Sequence, residues 1–100
     1  MALTDEQRES VYRLVKNQPN YRPFFSYLAG LKLNLKESSL NVVETQSGLN
    51  HQHSLELMRQ IAATGLARVH PGGRGGPSYL SWADDIDIRE VGRSVDNPLR

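Results

Sequence analysis

Apolar positions recur at helical spacing from the start of the chain. Val11, Leu14 and Val15 share one face of a stretch beginning at Asp5, with Arg8, Arg13 and Lys16 on other faces, the pattern of an amphipathic helix. Thr4 stands as N-cap, Asp5 and Glu6 favour the positive end of the helix dipole, and Gln7 sits where a capping box wants it. These residues predict a helix over Asp5–Asn17, ended by Asn17-Gln18-Pro19-Asn20. Tyr21–Leu33 is the richest apolar cluster, with Phe24, Phe25, Tyr27, Leu28 and Leu31. Pro23 suits a first helical turn, where its missing N–H does no harm. A second helix is expected over about Arg22–Lys32. Leu33-Asn34-Leu35-Lys36 then alternates and reads equally as a helix end or a short strand.

Further along, Ser38 or Ser39 can cap a third helix carrying Leu40, Val42 and Val43 and ending near Gln46-Ser47-Gly48, with Gly48 placed for a left-handed turn. Asn50 is a possible cap for a fourth helix, about His51–Thr64, carrying Leu55, Leu57, Met58, Ile61 and Ala62 and stopped by Gly65. Leu66–His70 reads as a strand, Pro71–Pro77 as a loop and Ser78–Ala83 as a returning strand. The loop packs four glycines and two prolines around Arg74. Asp84–Arg100 changes character: acids alternate with isoleucines in DDIDIRE, and GRSVDNPLR is polar. The reading here is a solvated surface segment followed by a frayed end.

Composition narrows the picture only a little. One hundred residues suggest one domain. Twelve Lys and Arg against eleven Asp and Glu give a formal charge of +1, so only the distribution of charge can bear on nucleic acid. The absence of cysteine excludes disulfides and thiolate metal sites. No apolar run approaches the ~18 residues of a membrane span, and MALTDEQRES does not read as a signal peptide. The expectation is a cytoplasmic protein without membrane contact.

Taken together, SSLNVVETQSGLNHQHSLELMRQIAATGLARV and HPGGRGGPSYLSW run helix, tight turn, helix, strand, glycine-rich loop, strand. That order resembles the winged helix-turn-helix superfamily, most closely small regulators of the MarR, ArsR and PadR kind. It covers a little under half of the chain and is a pattern of spacing. The resemblance implies an α+β, mainly helical fold: a winged helix-turn-helix with about four helices and a two-stranded glycine-rich wing. The expected division is a single domain over 1–91, the helix-turn-helix at about 38–64, the wing at about 66–83, and a flexible tail over 92–100. It also implies double-stranded DNA as partner and a role as a small bacterial or phage transcriptional regulator.

The residue types fit that expectation. Met58 and Ile61 place the packed side of the fourth helix, leaving His51, Gln52, Ser54, Glu56, Arg59 and Gln60 outward, with His53 near the boundary. In a helix-turn-helix the second helix enters the major groove, and Gln, Asn, Ser and Arg read base edges there. The expected DNA-binding set is therefore His51, Gln52, His53, Arg59 and Gln60 at the groove, Ser39 and Asn50 near the backbone, and Arg68 and Arg74 on the wing. About five phosphate contacts would give a salt slope near −4 to −5. The bland alternative is a solvated helix face, since Glu56 repels phosphate and Arg59 is the helix's one fixed cation. The rival reading is a winged-helix module that binds protein, favoured by the near-neutral charge and by DDIDIRE. A nucleic-acid-processing accessory subunit is a third reading.

Three other features bear on partners and chemistry. Phe24, Leu28 and Leu31 share a face of the second helix, while Tyr21, Phe25 and Tyr27 point elsewhere; a helix apolar on more than one side is usually buried twice. This predicts a homodimer through the first two helices, with or without Ile86 and Ile88, against the plainer case of a monomer that wraps the helix itself. His51-x-His53 suits a strand rather than one helical face, so no metal is expected. No nucleophile elbow is present and Asp84, Asp85 and Asp87 read as a solvated face, so neither an enzyme nor a cofactor is expected.

Overall fold

The computed structural model describes residues 3–72 and 78–96. It is an α+β fold, mainly helical, in the order α1 (Asp5–Asn17), a short 3-10 turn (Pro19–Tyr21), α2 (Arg22–Ala29), β1 (Glu37–Ser39), α3 (Leu40–Ser47), α4 (His51–Ala63), β2 (Ala67–His70), β3 (Tyr79–Trp82) and α5 (Ile88–Arg93). Local chemistry explains most boundaries. The Thr4 hydroxyl accepts from the Gln7 amide while the Gln7 side chain accepts from Thr4 N–H, completing the capping box of α1. Ser39 caps α3 by accepting from Val42 N–H, and Asn50 caps α4 by accepting from His53 N–H. Gly48, at φ 73°, makes the sharp turn between α3 and α4 in a conformation that side chains with a Cβ avoid.

The two expected strands are joined by a third that the sequence pattern did not reveal. β3 lies in the middle, antiparallel to both neighbours, in the order β1-β3-β2. One face is dry: Leu80 and Trp82 are buried, with Ala67 and Val69 beside them across β2 and Ser38 across β1. The indole Nε1–H of Trp82 donates to Ser38 Oγ at 2.9 Å inside the core, which satisfies its one polar atom. The other face carries Arg68, His70, Tyr79, Ser81, Glu37 and Ser39.

The largest departure from expectation lies at the C-terminal end. Ile86, Ile88, Val91 and Val95 are buried, so DDIDIRE is a core-bearing segment rather than a solvated face. Asp87 caps α5, its Oδ1 accepting from Arg89 N–H at 2.9 Å. The flexible tail expected over 92–100 is corrected for residues 92–95, where Gly92, Ser94 and Val95 are buried. Residues 97–100 lie outside the described residues. α5 packs on α2 more extensively than any other pair of elements does. Gly92 permits this: a Cβ there would stand 2.4 Å from both Phe25 O and Ala29 N. Phe24, Phe25 and Leu28 are all fully buried. The second apolar face of α2 is thus covered by the chain's own α5, and that reason for expecting a second copy is gone.

The ambiguous stretch after α2 is neither helix nor strand before Glu37. Its shape is set from a distance. Asn34 Nδ2 donates to Ile86 O at 3.1 Å while its Oδ1 accepts from Ile88 N–H at 2.9 Å. Arg89 Nη1 donates to Lys32 O at 3.1 Å. The loop is held to the start of α5, leaving Leu33 and Leu35 exposed.

Candidate functional site

α4 is the element on which most of the expected site residues stand. Ser54, Leu57, Met58 and Ile61 are buried and fix its inner side. At 100° per residue, the line opposite runs through Gln52, Glu56, Arg59 and Ala63, all exposed. This stripe is narrower than the expected set. His53 and Gln60 lie seven residues apart on a flanking line, and both turn toward the 3-10 turn. With Gln18, Asn20, Tyr21, Leu49 and Glu56 they line a cleft of about 250 Å³. There the Gln60 amide reaches the Tyr21 hydroxyl at 3.5 Å and Glu56 Oε2 at 3.4 Å. Burial, and then the charge of Glu56, push the Tyr21 hydroxyl above its ordinary range. His51 is exposed on the opposite flank and holds Glu44 Oε2 through Nδ1 at 2.9 Å, tying α4 to α3 across the turn.

The remaining candidates divide by element. Ser39 and Asn50 accept backbone N–H groups at the two helix starts, so their side-chain oxygens are engaged in capping. Arg68 is exposed on the outer face of β2 and makes no ion pair among the described residues. Arg74 lies outside the described residues. The structure therefore gathers Gln52 and Arg59 on one line, places His53, Gln60 and His51 on its two flanks, and separates Arg68 onto the sheet.

Charge is distributed differently from what a helix reader of DNA favours. Arg59 Nη1 stands 3.6 Å from Glu56 Oε1 one turn away. Arg8 pairs with Glu90 at 3.4 Å, Arg13 with Glu9 at 3.2 Å, Arg22 with Asp96 at 2.6 Å and Arg89 with Asp87 at 2.7 Å, and Arg93 also reaches Glu90. Lys36 donates to the Asp84 carbonyl at 3.4 Å. Arg8 and Arg13 of α1 are thus already paired, with α5 and within α1, and add no free charge to Arg59. Exposed pairs of this kind are worth at most about 1 kcal/mol, so a phosphate can displace Glu56 from Arg59 at small cost. The stripe carries one positive and one negative charge where a dedicated reader carries several positive ones.

The cleft beside α4 was not foreseen. Its signal in the sequence was the placement of Pro19-Asn20-Tyr21 between two helices, which gives a 3-10 turn able to reach across to α4. No helix among the described residues is long and apolar enough to cross a membrane. No protein-family model matches the chain, and no curated protein or solved structure does either.

Proposed function

We propose that the chain is a winged helix-turn-helix protein that binds double-stranded DNA through α4, as a small transcription regulator does. One observation carries the reading. α3, the Gly48 turn, α4 and the β2–β3 hairpin follow in order, and β1 closes the sheet as β1-β3-β2; this leaves the Gln52–Glu56–Arg59 line of α4 facing outward, with no element among the described residues packed on it. Gln52 suits a base edge. Arg59 suits a phosphate or guanine once it exchanges Glu56 for it. With the second face of α2 covered by α5, the proposal is for one copy on one site, with half-site pairing left to the operator.

The test is a fluorescence-anisotropy titration with generic duplex DNA at two salt concentrations, with Gln52→Ala and Arg59→Ala alongside. Binding in the micromolar range that both variants weaken supports the reading. Binding that neither variant changes would overturn docking by α4. A second reading has its own support in the six arginines that, among the described residues, pair with the chain's own carboxylates. Under it the same face of α4 meets a protein, and the duplex titration shows no saturable binding at any salt.

A further inference from the structure

The outer face of the sheet carries a second group of side chains that docking by α4 does not use. The strand register aligns His70 of β2 with Tyr79 of β3. Their rings lie parallel, with centroids 4.7 Å apart and planes 10° apart. β3 is the central strand and β2 an edge, so Tyr79 covers one face of His70 and, among the described residues, no strand stands beside the other. A cleft of about 510 Å³ opens at this edge, and Arg68, His70, Ser81 and Asp84 are among its lining residues. Arg68 precedes His70 by two positions, so it rises from the same face about 7 Å along the strand. Neither the Arg68 guanidinium nor the Asp84 carboxylate makes an ion pair among the described residues.

We propose that this cleft binds a nucleotide unit, with the base stacked on the free face of His70 and the phosphate on Arg68. A flat ring continues the stack that Tyr79 and His70 begin, and such stacking tolerates any base because every base has a π-face. The guanidinium fork takes a phosphate by two parallel hydrogen bonds. Asp84 in the same cleft disfavours a bare anion and instead accepts hydroxyl or N–H donors, which the sugar and base supply. Ser81 lies directly across the strand pair from Arg68 and lines the same cleft. A simple carboxylate would leave the ring unused, and a simple aromatic would leave the guanidinium unused. The chemistry is shared by a free mononucleotide and by an unpaired residue of a single strand.

The test is amide-resolved NMR of the whole chain with AMP, with a short oligothymidylate and with a blunt duplex, each in its own arm. Shifts at Arg68, His70 and Ser81 with AMP alone assign a free nucleotide, with the oligothymidylate alone a single strand, and with both a nucleotide unit from either source. Arg68→Gln and His70→Ala weaken the interaction roughly tenfold, His70→Phe restores it, and Arg59→Ala leaves it unchanged. No shift at the sheet face with AMP at roughly 10 mM and none with the oligothymidylate overturns the proposal, as does equal binding by His70→Ala. Docking by α4 is read separately, from the Gln52, Glu56 and Arg59 amides in the duplex arm, so either can fail alone.

Discussion

Two residues show how single polar groups hold this fold. The hydrogen bond from Trp82 Nε1 to Ser38 Oγ spans 2.9 Å in the core, and Ser38 is 4 % exposed. Removing an acceptor there leaves a buried donor unpaired, at a cost of about 1–3 kcal/mol. Ser38→Ala is expected to lower the urea midpoint accordingly, while Trp82→Phe/Ser38→Ala loses less than the two single changes added together. Additive losses would mean the pair does not interact. Asp87 shows the second case. The Arg89 guanidinium hydrogen-bonded to it holds its carboxyl at about 2, down from 3.8. The unfolded chain therefore binds more protons than the folded one as pH falls below about 4, and stability drains away until pH reaches about 2. Above that window the contribution is present in full. Asp87→Asn is expected to be less stable at neutral pH and to show a shallower loss between those limits in acid-unfolding curves. An unchanged acid slope would remove Asp87 from the account.

At the level of elements, the decisive contact is α5 on α2. Glycine inside an exposed helix normally gains about 0.5–1 kcal/mol on change to alanine. At Gly92 the sign reverses, because the added carbon meets the backbone of α2 at 2.4 Å and cannot be accommodated by a side-chain shift. Gly92→Ala is expected to cost about 3 kcal/mol, which lowers Tm by roughly 10–20 °C in a domain of this size. A Tm at or above that of the parent chain would show that the helices do not approach this closely. α4 is governed by its four buried positions. They aim Gln52 and Arg59 outward and turn His53 and Gln60 toward the 3-10 turn. The stripe offered to a partner is therefore one residue wide.

For the molecule as a whole, the balance of charge governs what it can bind. Most arginines of the described residues are engaged internally, two across long sequence separations: Arg8 with Glu90 and Arg22 with Asp96. For duplex docking by α4 as proposed, the five phosphate contacts expected with the DNA-binding set fall to about three, giving a salt slope of about −2.7 rather than −4 to −5. Fourfold more salt is then expected to weaken duplex binding roughly forty-fold. An anisotropy series with a flat response would exclude phosphate contacts as the source of affinity.

Much of the architecture was legible along the chain because its signals are local. α1, α3 and α4 announce themselves by apolar spacing, and Thr4, Ser39, Asn50 and Gly48 act on atoms within a few residues. β1 and α5 were not legible. Glu37–Ser39 contains no large apolar residue and is a strand because β3, some forty positions later, supplies its partner. Ile86 and Ile88 alternate like a strand, yet Asp87 caps a helix there, and Gly92 looks like a breaker until α2 is seen beside it. The same limit applied to function. Residue types named Gln52, Arg59 and Arg68 as candidates, but which of them share a surface, and which arginines keep a free charge, depended on contacts between residues far apart in sequence. Periodicity is a property of neighbours; the pairing of charges and the covering of a second helix face are properties of the packed chain.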